Sequence, residues 1–127
     1  MLAGTRILVL EDEAIIAFAL EDQLAERGAK VTLAACLEQA ECALETDTFD
    51  LAILDVNLNG TKSYPVAGTL QRLGVPFLFA TGYGMAEHPA ELAHAPTITK
   101  PYSLVDIERV LAATACSGKA DRESRAG

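Results

Sequence analysis

Five side chains that could act together chemically each stand close to the end of a short apolar run. They are Glu11, Asp12, Asp55, Thr81 and Lys100. Carboxylates brought together repel each other, by about 4 kcal/mol for two unit charges ~4 Å apart at an effective dielectric constant of 20. A positive partner is therefore needed, and residue type suggests two: Mg²⁺, which prefers oxygen ligands and retains waters, and the Lys100 ammonium.

This combination of groups has the parts for phosphoryl transfer to a carboxylate. Asp55 could attack a phosphorus atom as the nucleophile and form an aspartyl phosphate. Thr81 and Lys100 would then hold the remaining phosphoryl oxygens, so that catalysis consists of positioning and charge stabilisation. The predicted Mg²⁺ ligands are Glu11, Asp12, Asp55 and the backbone carbonyl of Asn57.

These groups are distant in sequence, and they become neighbours in space if the apolar runs are strands of one sheet. Three of the runs are apolar throughout, which is typical of parallel strands covered by helices on both faces. The predicted strands are 7–10, 31–34, 51–54, 77–80 and 95–98, and the predicted helices are 13–27, 36–46, 63–73, 84–93 and 103–115. This alternation predicts a doubly wound α/β fold, for which we apply the flavodoxin-like strand order 2-1-3-4-5. In such folds ligands bind beyond the carboxyl ends of the strands.

Two further carboxylates are expected to lie outside this site. Asp50 begins the third predicted strand rather than ending it, so a turn or capping role is expected there. Glu13 is placed at the start of the first helix, where a carboxylate suits the positive end of the helix dipole.

Length and charge narrow the possible functions. The 127 residues suffice for one domain. With 10 Lys and Arg against 18 Asp and Glu, the net charge is −8, so attraction to nucleic acid or to anionic membranes is not expected. The sequence shows no signal peptide and no apolar run long enough to span a membrane, which predicts a cytoplasmic protein.

Four segments together resemble the receiver domain of bacterial two-component response regulators. They are Glu11-Asp12, the run 54–60, the run 80–83 and Thr99-Lys100-Pro101-Tyr102. The resemblance covers residues 6–115 and implies a five-stranded (βα)5 fold of the CheY-like type. Residues 1–115 are therefore expected to form a receiver domain. Residues 116–127 are small, polar and mixed in charge, so a flexible tail is expected there. The run 76–83, with its F-A-T-G-Y motif, is similar to single-domain receivers of alphaproteobacteria.

The resemblance also implies a function and partners. A histidine kinase, for receivers of the F-A-T-G-Y type one of the HWE or a related class, would phosphorylate Asp55 in the presence of Mg²⁺, and Thr81 and Lys100 would sense the phosphorylated state. The domain would not be an enzyme in the usual sense, but a phosphoacceptor that assists its own phosphorylation and dephosphorylation. A downstream protein would bind the face formed by residues 84–115, and the domain would be a monomer or a weak dimer.

The sequence departs from the family pattern at positions that bear on signalling. Glu11 stands where many receivers have Asp, which keeps the charge but lengthens the side chain by one methylene. Thr97 stands three residues before Lys100, where the family has an aromatic switch residue. The candidates for the switch are therefore Thr81, Tyr83, Thr97 and Tyr102. We expect phosphorylation to reorder the 82–94 loop and to swing Tyr83, because the glycines beside it permit backbone changes.

Three other functions are compatible with parts of this sequence. A phosphate sink would drain a shared kinase and contact nothing downstream. A phosphorylation-independent binding module would keep the fold without using the site, although the presence of all five site residues argues against it. A Mg²⁺-dependent phosphohydrolase would also use a nucleophilic Asp, but Asn57 stands where such enzymes place a general acid.

Overall fold

The computed structural model of the chain describes residues 3–58, 60–81, 96–99 and 105–109. The strands are β1 (Arg6–Leu10), β2 (Lys30–Ala34), β3 (Leu51–Asp55), β4 (Asn57–Leu58), β5 (Thr61–Lys62), β6 (Phe77–Thr81) and β7 (Thr97–Thr99). The helices are α1 (Ala14–Glu26), α2 (Leu37–Thr46) and α3 (Tyr64–Leu73), and residues 105–109 are also helical.

Five of the strands form one parallel sheet in the spatial order β2-β1-β3-β6-β7. Counted along the chain without the short β4–β5 pair, this is the predicted order 2-1-3-4-5. The doubly wound α/β fold is therefore confirmed. Strand β3 lies at the centre of the sheet, and its five residues are all buried; burial of the first four, 51–54, is what their unbroken apolar sequence predicts.

The sheet separates two apolar cores, and successive strand residues alternate between them. Leu8 and Leu10 face the core covered by α2 and α3, whereas Ile7 and Val9 face the opposite core. The opposite core is covered by α1 and by the helical residues 105–109, which are joined by an ion pair of 3.0 Å between Arg27 and Glu108. Because side chains on both faces of the sheet are buried, a slip of one strand along its neighbour is disfavoured, and the carboxyl ends of the strands keep a fixed register.

Phe79 of β6 lies in the core covered by α2 and α3. It is fully buried and makes edge-to-face contacts with the rings of Tyr64 and Phe77, each with centroids 5.6 Å apart. We expect Phe79→Ala to lower the free energy of unfolding by about 3 to 5 kcal/mol, because it leaves a cavity that the core cannot fill. Urea denaturation measures this. Phe18→Ala is the matched control: Phe18 lies on α1 with 58% exposure, so a change within about 0.5 kcal/mol is expected. Equal losses in both variants would contradict this account of the core.

Two element boundaries follow from individual residues. Gly74 ends α3 with φ of 75°, a conformation that glycine adopts without steric cost, as expected for a helix C-terminus. The last strand begins at Thr97 rather than at the predicted residue 95. Pro96 has no N–H to donate to the sheet, but its carbonyl accepts the N–H of Phe79 at 2.9 Å and so leads the chain into β7.

Several expectations fall on parts of the chain outside the described residues. These are the helix 84–93, most of the partner face 84–115, and the tail 116–127. Among the helices that the structure does describe, none has both the length and the apolar character that crossing a membrane requires.

Candidate functional site

Three carboxylates converge at the carboxyl end of the central strands. One carboxylate oxygen from each of Glu11, Asp12 and Asp55 lies within 4.8 Å of the others. The register explains this convergence: Leu10 of β1 pairs with Leu54 of β3, so the residues that follow them emerge side by side. The structure thus brings together the three acidic residues that the sequence places at strand ends.

Glu11 is almost completely buried, with 4% of its surface exposed. Its backbone N–H donates to the carbonyl of Ala34 at 3.0 Å, which extends the pairing of β1 and β2 by one residue. Its side-chain Oε1 accepts the backbone N–H of Glu13 at 3.1 Å. The longer glutamate arm therefore reaches the residue that precedes α1, and this contact fixes the direction of the carboxylate.

Asp55 is the last residue of β3 and is 7% exposed. The residue after it is held on both sides: the N–H of Val56 donates to the carbonyl of Ala80, and the carbonyl of Val56 accepts the N–H of Ser63, both at 3.0 Å. The backbone N–H of Asn57 approaches Oδ1 of Asp55 at 3.4 Å. The backbone around Asp55 is thus anchored to β6 and to the start of α3.

A short hairpin follows Asp55, which the sequence analysis did not predict. Asn57 pairs with Lys62 and Leu58 with Thr61 in an antiparallel arrangement. In the sequence, Asn-Gly stands between these two pairs, and Gly60 has φ of 89°. Asn-Gly between two extended segments is the strongest short sequence signal for such a turn. The hairpin matters because it determines where the Asn57 carbonyl, the predicted backbone ligand, is held.

The donor set of this cluster fits a small divalent cation. Two of the three carboxylates are buried and the third, Asp12, is half-buried. Burying carboxylates next to each other is unfavourable unless a positive charge compensates them. Oxygen ligands alone, with one side open to water, are what Mg²⁺ prefers, whereas a structural zinc site would require Cys or His.

The remaining predicted site residues are placed only in part. Thr81 ends β6, and its register partner across the sheet is Thr99. Thr97 begins β7 with an exposed side chain. The other candidates lie outside the described residues; they are Tyr83, Lys100 and Tyr102. The roles assigned to all of these residues therefore stay predictions.

Asp50 and Glu13 take the positions that the sequence analysis gave them. Asp50 lies at the opposite end of β3, where its Oδ2 accepts the backbone N–H of Arg6 at 3.0 Å. Glu13 is the residue before the first turn of α1. Neither belongs to the three-carboxylate cluster.

Tyr64 connects the end of the hairpin segment to the sheet. It is the first residue of α3 and packs edge-on against Phe79 of β6. Burial raises the pKa of its phenol above the ordinary value of 10.0, so the ring is neutral at physiological pH. The sequence does not single out Tyr64, because an aromatic residue at the start of a helix has no distinctive pattern.

Comparisons with known proteins agree with this geometry. The family model of the response regulator receiver domain matches residues 7–112. Among curated proteins, the transcriptional regulatory protein TcrA of Mycobacterium tuberculosis is 33% identical over 110 residues, which are 83% of this chain and 44% of TcrA. The chain therefore spans less than half the length of this curated relative.

Solved structures give the same result. SdrG from Sphingomonas melonis is 37% identical with a TM-score of 0.76, covering 89% of this chain and 98% of that one. SdrG has also been solved in a BeF3-activated conformation, with a TM-score of 0.73, 37% identity and coverage of 90% and 98%. TrrA from Thermotoga maritima, solved in complex with Mg²⁺ and BeF, is 25% identical with a TM-score of 0.73, covering 83% of this chain and 94% of that one.

Proposed function

The chain belongs to the family of response regulator receiver domains, and we propose that it is a single-domain response regulator that carries a phosphoryl group on Asp55. A phosphorylated histidine kinase would be the donor, and the phosphorylated domain would signal by binding another protein. The observation that carries this proposal is the convergence of Asp55 with Glu11 and Asp12, whose carboxylate oxygens lie within 4.8 Å of one another.

In the proposed reaction, a carboxylate oxygen of Asp55 attacks the phosphorus atom of the donor. The bond between phosphorus and the histidine nitrogen breaks as the bond to oxygen forms, and the nitrogen keeps the electron pair. The product is an aspartyl phosphate. Because Asp55 is almost buried and its neighbour Val56 is held by two backbone hydrogen bonds, the nucleophile is oriented before the donor arrives.

The other residues would bind and orient the transferred group. Glu11, Asp12, Asp55 and the Asn57 carbonyl would hold Mg²⁺, which when bound supplies positive charge to the phosphoryl oxygens. We assign the Thr81 hydroxyl and the Lys100 ammonium to the remaining oxygens. Asn57 would contribute only its backbone carbonyl. Its amide side chain cannot act as the general acid that a phosphohydrolase needs. The domain is therefore proposed as a phosphoacceptor and not as a hydrolase.

The proposal extends to the donor kinase, the partner surface, the oligomeric state and the residue that reports phosphorylation. The F-A-T-G-Y sequence at 79–83 supports a kinase of the HWE class as donor, because receivers with this motif are associated with such kinases. We propose that the face 84–115 binds the downstream protein, that the domain is a monomer or a weak dimer, and that it works in the cytoplasm. The absence of an aromatic residue at Thr97 supports Tyr83 or Tyr102 as the residue that reports phosphorylation.

Phosphoryl uptake from a small donor tests the proposed function. We expect intact-mass analysis after incubation with acetyl phosphate to show one added phosphoryl group when Mg²⁺ is present. We expect little or none when Mg²⁺ is chelated, because the clustered carboxylates would then repel the incoming anion. The same measurement with a phosphorylated HWE-class kinase and a rapid quench covers the case in which the small donor does not react. No uptake from either donor would favour the phosphorylation-independent binding module.

A further inference from the structure

The hydroxyl of Ser63 is buried without a hydrogen bond. Ser63 is fully buried, and its Oγ has no hydrogen-bond partner among the described residues. Buried hydroxyls nearly always have a partner, because losing the hydrogen bonds made to water is unfavourable. An unpartnered hydroxyl at a functional site therefore calls for a physical reason.

Helix capping does not supply that reason. Ser63 is the N-cap residue of α3, where a serine oxygen usually accepts the N–H of the second or third helical residue. Here the second residue is Pro65, which has no N–H. The third, Val66, donates to the carbonyl of Ser63 at 3.0 Å, and Ala67 donates to the same carbonyl at 3.2 Å. The first turn of α3 thus hydrogen-bonds to the backbone carbonyl of Ser63 and not to its side chain.

The backbone of Ser63 is instead tied to the acceptor segment, which we define as residues 56–62. The N–H of Ser63 donates to the carbonyl of Val56, the residue directly after Asp55. Within the segment, the pairs Asn57–Lys62 and Leu58–Thr61 form the hairpin. Ser63 therefore closes the base of the segment that carries the Asn57 carbonyl, and this backbone hydrogen bond couples the position of Ser63 to that of the segment.

We propose that Ser63 is a positioning residue for phosphoryl transfer: its hydroxyl hydrogen-bonds to a main-chain group of the acceptor segment when Asp55 carries the phosphoryl group. Among the described residues the hydroxyl has no partner in the unphosphorylated protein; it gains one in the phosphorylated protein and so favours the phosphorylated state. This inference rests on the proposed function of Asp55. It concerns a residue that touches neither the phosphoryl group nor the metal and acts through the backbone of the segment.

Ser63→Ala tests the inference through two measurements on the whole chain. The first is the urea midpoint of the protein without Mg²⁺, which should stay the same or rise, because the variant removes a buried polar group that has no partner. The second is the affinity for fluoroberyllate, a phosphoryl analogue, in saturating Mg²⁺. It should weaken about three- to tenfold, which is the value of one net hydrogen bond. The affinity for Mg²⁺ alone should be unchanged, and a purely structural role would not produce this separation.

Two further variants isolate the hydrogen bond. Ser63→Cys keeps a side chain of similar shape but hydrogen-bonds weakly, so it should lose fluoroberyllate affinity as Ser63→Ala does. Thr61→Ala removes an exposed hydroxyl from the same hairpin and should behave like the wild type in both measurements. Equal fluoroberyllate affinity in the wild type and Ser63→Ala would overturn the inference. So would a lower urea midpoint in Ser63→Ala, since the hydroxyl would then already have a partner.

The wild type separates failure of this inference from failure of the proposed function. If the wild-type protein does not bind Mg²⁺ and fluoroberyllate, the assignment of Asp55 as acceptor is wrong and the role of Ser63 falls with it. If the wild type binds both and Ser63→Ala binds them equally well, only the role of Ser63 is wrong.

Discussion

Asp55→Asn is expected to abolish phosphoryl uptake. The amide nitrogen and oxygen that replace the carboxylate are not competent nucleophiles at phosphorus, so the rate of uptake from acetyl phosphate should fall by at least about a thousandfold. Intact-mass analysis over a time course measures this rate in the wild type and the variant. The structure supports so large an effect. Among the described residues, Asp55 is the one carboxylate of the cluster that lies at the end of the central strand, so neither of the other two stands in its place.

Loss of the fold would not explain this result. Asp55 stands in a cluster of like charges, so replacing its carboxylate with a neutral amide of the same shape relieves repulsion. Asp55→Asn should therefore unfold at the same or a higher temperature than the metal-free wild type. An inactive variant that is at least as stable as the wild type has lost a chemical group and not its structure.

Asp47→Asn is the matched control for this variant. Asp47 is the exposed residue that follows α2 and is not part of the cluster. The same substitution there should leave the rate of uptake unchanged. Persistent uptake by Asp55→Asn would show that another residue is the acceptor, and peptide mapping of the phosphorylated product would identify it.

The sequence was most informative where hydrophobic pattern and strand order act together. The run 51–54 is apolar throughout, so it predicts a strand buried on both faces, and β3 is that strand. Once β1 and β3 are neighbours, their parallel register places Glu11 and Asp55 side by side without further information. The acidic cluster could therefore be predicted from two short runs and the rule that ligands bind at the carboxyl ends of strands.

Local detail was harder to predict, because it depends on contacts between residues far apart in the sequence. The hairpin at 57–62 has no apolar alternation, and its only signal is the Asn-Gly pair at its turn. The residue type of Ser63 predicts an ordinary helix cap. Only the structure shows that it is fully buried and that its side chain makes no cap hydrogen bond. The shift of β7 to Thr97 follows from Pro96, whose carbonyl pairs with a strand that is distant in sequence.

Binding of Mg²⁺ should stabilise the folded protein. The carboxylates of Glu11, Asp12 and Asp55, with oxygens within 4.8 Å of one another, repel each other, and a bound cation would relieve this repulsion. A ligand that binds only the folded state adds about 2.7 kcal/mol to the free energy of unfolding at one hundred times its dissociation constant. We therefore expect the melting temperature of the wild type to rise with Mg²⁺ concentration. Monovalent salt at matched ionic strength should have a smaller effect, because it only screens the charges.

Asp12→Asn is expected to stabilise the metal-free protein and to weaken Mg²⁺ binding at the same time. Asp12 is the half-buried member of the cluster. Its substitution relieves repulsion from the other two carboxylates, but nearby solvent already weakens that repulsion. An increase of about 1 to 2 kcal/mol in the free energy of unfolding without Mg²⁺ is expected. The affinity for Mg²⁺ should fall at least about tenfold, because the site loses a charged oxygen ligand. Thermal melts over a Mg²⁺ titration measure both quantities in one experiment.

The combination of these two effects is what distinguishes a binding site from a chance cluster of surface acids. Asp22→Asn, on an exposed position of α1, removes the same charge but should change neither the metal-free stability nor the response to Mg²⁺ by more than about 0.5 kcal/mol. If Asp12→Asn were less stable than the wild type without Mg²⁺, the carboxylate would be making a favourable contact rather than suffering repulsion. If it kept the full response to Mg²⁺, the metal would not be held by this cluster. A stable Asp12→Asn protein that no longer responds to Mg²⁺ would show that the clustered carboxylates bind the metal and that their repulsion weakens the metal-free fold.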